Sequence, residues 1–358
     1  MTPSAPLATI LARDVAAIVA RPVPWERLAG AHVLVTGASG FLGGWFVRTL
    51  LGLHPLGKVE APVRVTAMVR DPGRARLQLS DVADAPGLSL LPWDLTRLEL
   101  PPWPEDVDHV VHAASLASPR HYGVDPLGTI LPNAVGTAGL LECLGRGGRG
   151  RGFLFVSTSE VYGAVGGEAP LAEGDYGVVD PAAVRACYAE SKRLGEALCV
   201  AWHHQHGLPT HIVRPFHTFG PGLRPDDGRV FADFVQNVIR GEPLVMTSDG
   251  AARRAFCYVS DAIAGCFTAW LLGQPGRPYN VANPAGERSI AELAELLAGL
   301  YPARGLRVER RAAAGGYLPS TYSRLSADVS ALSALGWRPE VTLEDGFRRT
   351  IEASAWTS

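Results

Sequence analysis

Leu7, Ile10, Leu11, Ala16, Ile18 and Val19 recur at roughly helical spacing, with Arg13 and Asp14 among them. This predicts an amphipathic helix packed onto the body of the protein. The pattern then changes. His32–Thr36 (HVLVT) is a short apolar run ending in a glycine loop, as expected of a parallel strand buried on both faces. Similar runs predict strands at Val63–Val69, Leu88–Trp93, His109–His112, Phe153–Ser157 and His211–Pro215. Between most of them lie helical stretches, notably Gly43–Leu53, Pro132–Leu144 and Cys187–His206. Strands alternating with helices imply an α/β, Rossmann-like doubly wound parallel sheet. Beyond residue 215 the order loosens. Pro221–Arg229 reads as loop, Phe231–Arg240 and Ser289–Leu300 as helices, and Pro278–Ala282 as strand-like. A smaller C-terminal lobe follows, with an active site between it and the carboxyl ends of the strands.

Composition narrows the class. A net charge of −2 over 358 residues speaks against a nucleic-acid binder. The Gly145–Gly152 tract (GRGGRGRG) is too short to alter that and sits where a helix-to-strand loop belongs. No apolar run reaches the ~18 residues of a membrane span, and the N-terminus lacks the pattern of a secretory signal. The five cysteines (143, 187, 199, 257 and 266) show neither a C-x-x-C pair nor disulfide-like spacing, which fits a reducing, cytoplasmic compartment. His203, His204 and His206 end a helix without a carboxylate or cysteine cluster, so they read as solvated surface and no metal site is expected.

Gly37-Ala-Ser-Gly40-Phe41-Leu42-Gly43 follows the first strand and opens a helix. Glycines there allow a tight turn and close approach of backbone N–H groups to a pyrophosphate, which the helix N-terminus favours electrostatically. Dinucleotide binding is the expectation. Asp94-Leu95, at the end of the third strand, suit the adenine, and His112-Ala113-Ala114 end the fourth strand with small residues where backbone must run close to the cofactor. The second strand ends Met68-Val69-Arg70-Asp71-Pro72. Two readings of Arg70 stand, one in which it holds a 2′-phosphate and one in which it stacks on adenine, while Asp71 remains a candidate for the ribose hydroxyls. NAD is expected, with NADP left open by Arg70.

Thr158-Ser159-Glu160, followed by Tyr188-x-x-x-Lys192, carries the chemistry. Tyr188 and Lys192 share one helix face, so the ammonium favours a phenolate whose reference pKa near ~10 is otherwise too high for a base at neutral pH. Thr158 suits a hydrogen bond to the same substrate oxygen. Glu160 adds a carboxylate that simple alcohol oxidation does not need. Arg254 and Arg229 suit a diphosphate, and Arg254 equally suits a substrate carboxylate. Arg185, one turn before Tyr188, is expected to shape the pocket.

With these pieces in place, the chain resembles the extended short-chain dehydrogenases/reductases that act on nucleotide sugars, and among them the UDP-glucuronate decarboxylases. The resemblance runs from about residue 30 to about residue 350. It rests on Ala117–Tyr122 with Pro126, Thr129 and Asn133, on Ser157–Gly163, Arg185–Arg193, Arg214–Pro221, Asp227–Val230, Arg254–Asp261, and Gly336-Trp337-Arg338-Pro339. It implies cofactor contacts at Pro215 and substrate contacts at Ser118, Arg120, His121, Arg185, His217, Arg229 and Arg254. It also implies a homodimer paired through Pro132–Leu144 and Cys187–His206. The expected layout is a helical extension (1–30), an NAD(P)-binding and catalytic domain (31–215), and a mainly substrate-binding lobe (216–358) interleaved with returning Rossmann elements.

The departures are informative. The family usually has Asn at the position of His217, and its late Arg-Lys-Pro-Asp segment appears here only as Tyr322-Ser-Arg324-Leu-Ser-Ala-Asp328. Resembling 4,6-dehydratases use Thr-Asp-Glu, with the middle Asp as acid for the leaving hydroxyl. Ser159 is a far weaker proton donor, which favours decarboxylation over dehydration. A 4-epimerase, needing only the tyrosine, lysine and hydroxyl, remains a further alternative, and an NADPH-dependent reductase of small carbonyl compounds a distant one.

Overall fold

The structure, a computed structural model, describes residues 5–104, 106–146, 148–167, 169–311 and 323–354. Its centre is a parallel sheet built from β1 (His32–Thr36), β2 (Arg64–Val69), β3 (Leu88–Pro92), β4 (His109–His112), β5 (Gly152–Val156), β6 (Thr210–Pro215) and the late strand Pro278–Val281. The spatial order is Pro278–Val281, β6, β5, β4, β1, β2, β3. β1, β4, β5 and β6 are buried throughout, which explains why their apolar residues sit side by side rather than alternating with polar ones.

Two elements differ from the sequence expectation. Pro278–Val281 completes the main sheet, pairing parallel to β6 with Pro278 opposite Ile212. The helix Val259–Leu272, buried along nearly its whole length, makes the crossover that brings it there. The helix expected from Pro132 begins at Pro126 and carries a π-helical turn at Pro132–Gly136 before continuing as Thr137–Arg146. Pro132 has no N–H to give to the helical ladder, and the widened turn absorbs that gap. By length and composition Pro126–Arg146 could cross a membrane, but 61% of its most apolar window is buried within the protein, as in a core helix.

A smaller sheet starts where β6 ends. His217–Phe219 and Arg324–Leu325 run parallel to Arg253–Tyr258, and Glu287–Ser289 runs antiparallel to it. The N-terminal helix Ala5–Val19 docks through Asp14, which is fully buried. Asp14 accepts hydrogen bonds from Tyr258 and, at 2.8 Å, from Arg349 of the C-terminal helix Leu343–Ser354.

Candidate active site

The carboxyl ends of β1, β2, β4, β5 and β6 open into a cleft of about 1280 Å³ whose far wall is the small sheet and the loop before helix Val230–Arg240. At its floor Gly37 has φ of +62°, and a Cβ there would lie 2.7 Å from the Ala114 Cα. A Cβ on Gly43 would lie 2.1 Å from the Gly37 carbonyl oxygen. Both positions therefore require glycine, and together they form a bare-backbone cradle ending at the N-terminus of helix Phe41–Gly52.

The opposite side of the cradle is fixed by His112. Its Nε2 donates to the Pro132 carbonyl (3.0 Å), so its Nδ1 is the acceptor for the Thr36 hydroxyl (2.7 Å). Thr36 in turn accepts from the Ala114 N–H (3.2 Å). Burial, seconded by nearby Lys192, holds the His112 pKa down to about 3, so this web keeps one tautomer at any physiological pH. Arg70, Asp71, Arg74, Asp94 and Leu95 line the outer end of the same half of the cleft. One Asp71 oxygen accepts the Arg74 N–H (3.0 Å) and caps helix Pro72–Gln78. One Asp94 oxygen accepts from Thr96 N–H (3.0 Å) and the Thr96 hydroxyl (2.9 Å).

Tyr188 and Lys192 project from helix Ala186–His206, beside the end of β5. The Asn133 side chain donates to Ser191 Oγ (3.1 Å), and Ser191 donates to the Tyr188 carbonyl (3.1 Å), which anchors that turn of the helix. Tyr122 stacks on the Tyr188 ring, with centroids 5.1 Å apart and planes inclined 17°. Burial and, next, the Glu160 carboxylate push the Tyr188 phenol well above its ordinary value, while hydrogen bonding with Thr158 works the other way. Lys192 donates to the Val156 carbonyl (2.6 Å) and lies 4.8 Å above the Phe155 ring. Its burial lowers the pKa to about 7, against the pull of Glu196 one turn further along. Glu196 is itself pinned, accepting from Ser157 (2.5 Å) and from both Nε (2.9 Å) and Nη2 (2.6 Å) of Arg214.

Thr158 caps the short turn Ser159–Tyr162 by accepting the Glu160 N–H (3.2 Å). Arg185 grips the Glu160 carboxylate at 3.0 Å, and its guanidinium lies 5.2 Å above Tyr122. Thus Thr158, Glu160, Tyr188 and Arg185 meet at one place in the cleft.

On the far wall, Arg229 is oriented by Asp227 (Nη2 to Oδ2, 2.8 Å) and packs on Phe231 at 5.1 Å. Arg254 donates to its neighbour's carbonyl at Arg253 (2.7 Å) and to the Ser323 carbonyl (3.4 Å). Ser118, His121, Pro215, His217, Arg229 and Arg254 all line the cleft, as do Gly40, Phe41, Leu42, Ala113 and Ser159. Arg120 does not. It turns to the Asp226 carbonyl and makes an ion pair with the Asp226 carboxylate at 3.3 Å, so it braces the loop rather than facing a ligand. Arg324 is likewise engaged with Glu287 (2.8 and 2.9 Å), whose carboxyl it holds down to about 2. Tyr322 lies outside the described residues. Sequence reasoning missed Tyr122 and Asp227 as parts of this site; both lie inside quoted motifs, but only the packing reveals their partners.

Residues 33–282 match the NAD dependent epimerase/dehydratase family. UDP-glucuronic acid decarboxylase 6 of Arabidopsis thaliana is 35% identical over 317 residues, covering 88% of this chain and 86% of the relative. Among solved structures, UDP-glucuronic acid 4-epimerase from Bacillus cereus, in complex with UDP-glucuronic acid and NAD, is 25% identical with a TM-score of 0.73, covering 90% of this chain and 98% of the other. A dTDP-glucose 4,6-dehydratase from Streptomyces venezuelae with NAD bound is 27% identical with a TM-score of 0.74, covering 90% and 96% respectively. The chain belongs to the NAD dependent epimerase/dehydratase family.

Proposed function

We propose that this chain oxidises C4 of a UDP-glucuronate-type nucleotide sugar and decarboxylates it, giving a pentose or 4-keto-pentose nucleotide. The observation that carries this reading is Thr158-Ser159-Glu160 set against Tyr188, with a serine between the threonine and the glutamate and Arg185 clamped on Glu160. The 35%-identical decarboxylase supports it.

Bound NAD supplies the hydride acceptor at C4. Tyr188 takes the C4 hydroxyl proton, and Thr158 orients that oxygen. The buried phenol is a poor base alone; nearby Arg229 opposes the rise, and Lys192, one turn further along the same helix, supplies further opposing charge once substrate and cofactor are bound. A C4 ketone turns the C5 carboxylate into a β-keto acid, so the C5–carboxylate bond breaks, CO₂ leaves, and the electron pair is held as an enolate. Glu160, fixed by Arg185, positions the water that returns a proton to C5. Ser159 borders the departing carboxylate without offering the acid that elimination of a hydroxyl requires. Residues 31–215 then carry cofactor and catalytic groups, while 216–358 mainly hold the nucleotide through Arg229 and Arg254.

A second copy fits against helices Pro126–Arg146 and Ala186–His206, where Leu127 and Leu194 are 64% and 50% exposed. All five cysteines are free and buried, which suits a reducing cytoplasm.

Mass spectrometry of the product from UDP-glucuronate tests the reaction. Loss of CO₂ is expected. Loss of water would assign a dehydratase instead, and an isomer of unchanged mass a 4-epimerase.

A further inference from the structure

His217 is partly buried in the cleft wall, at the start of the strand that follows β6. Its ring meets Phe231 and Phe256 nearly edge-on, with centroids 6.2 and 5.8 Å away and planes inclined 71° and 70°. Its Nδ1 is shielded from solvent and has no hydrogen-bond partner among the described residues. A buried polar atom left unpaired is costly, and a binding site is where such a cost is made good by a ligand. Two cations face the ring from separate elements, Arg254 from strand Arg253–Tyr258 and Arg229 from the cap of helix Val230–Arg240. Asp227, on the loop, is bound to Arg229. Burial first, and then the two guanidinium groups, hold the imidazole neutral, well below its ordinary value.

A diphosphate laid on Arg229 and Arg254 reverses that field. The two cations become paired, and anionic oxygen stands beside an imidazole that until then faced only positive charge. We propose that His217 couples nucleotide binding to proton uptake: a nucleoside diphosphate ester held by Arg229 and Arg254 draws a proton from solvent onto the His217 ring, which completes the site as a cationic hydrogen-bond donor. The proton returns to solvent when the nucleotide leaves, so the cycle balances. By linkage, affinity falls as pH rises. This inference rests on the nucleotide-sugar reading above, and it gives a physical role to the histidine that replaces the family's usual Asn.

Calorimetric titration with UDP-glucose tests it, since both phosphates of that diester are fully ionised near neutrality and any proton counted belongs to the protein. Titrations of the NAD-loaded protein at pH 7 in PIPES and in Tris, buffers of very different ionisation enthalpy, give the number of protons taken up. The wild type is expected to take up a proton on binding. His217→Asn is expected to lose that uptake while still binding UDP-glucose, with affinity reduced by about tenfold or less. NAD content and melting temperature confirm that the variant is folded. Binding with no proton uptake in the wild type, or with equal uptake in both proteins, overturns the inference alone. No binding by either protein overturns the nucleotide-sugar reading and this inference with it.

Discussion

Replacing Lys192 with Met should stabilise the protein while abolishing its activity. The ammonium is 2% exposed and donates to the Val156 carbonyl above the face of Phe155. Burial moves its pKa from 10.5 to about 7. At ~1.4 kcal/mol per unit, that displacement means the charged form is disfavoured in the fold by roughly 5 kcal/mol relative to the unfolded chain. The direction with pH follows from proton counting. Below pH 7 both states hold the proton and the full penalty applies. Between about 7 and 10.5 the unfolded chain binds more protons than the fold, so the contribution of this group to stability rises with pH. Met fills a similar path without the charge. If half the penalty is recovered, the melting temperature of the NAD-free protein should rise by roughly 3 °C at pH 6–7. The gap from wild type should narrow as the pH approaches 10. Thermal unfolding monitored by circular dichroism across that range is the assay. A variant less stable than wild type at pH 7, or a gap that widens with pH, would refute the reasoning.

Glu160→Gln removes the carboxylate that Arg185 holds, and turnover of UDP-glucuronate should fall by about 10²-fold or more with KM little changed, as steady-state kinetics would show. Gly37→Ala forces a Cβ to 2.7 Å from Ala114 at a φ of +62°, so the purified protein should retain far less NAD, measured by release on acid denaturation. Light scattering should find the wild type dimeric, and Leu127→Lys combined with Leu194→Lys should make it monomeric, since both side chains stand exposed on the two helices proposed to pair.

The strands are legible because buried parallel strands carry clustered rather than alternating apolar residues, and the cradle because only glycine tolerates Gly37's backbone there. Tyr188 and Lys192 were legible because four-residue spacing fixes a shared helix face. What escaped the sequence depends on residues far apart along the chain. Nothing local announces that Thr36, His112 and Pro132 form one web, or that Glu196 is held by Ser157 and Arg214. Pro278–Val281 looked like part of the lobe because its partner, β6, lies more than sixty residues earlier. Arg120 looked like a ligand contact because charge and motif position do not say which way a long side chain turns, and here Asp226 claims it.

In the proposed reaction C4 gives up its hydride to bound NAD before CO₂ leaves. UDP-glucuronate carrying deuterium at C4, incubated with the NAD-loaded protein and no added reductant, tests that directly. The expected product has lost CO₂, with the deuterium either at C4 of a pentose nucleotide or on the NADH left beside a 4-keto-pentose nucleotide. Loss of CO₂ with C4 hydrogen drawn from the solvent, or no loss of CO₂ at all, would contradict it.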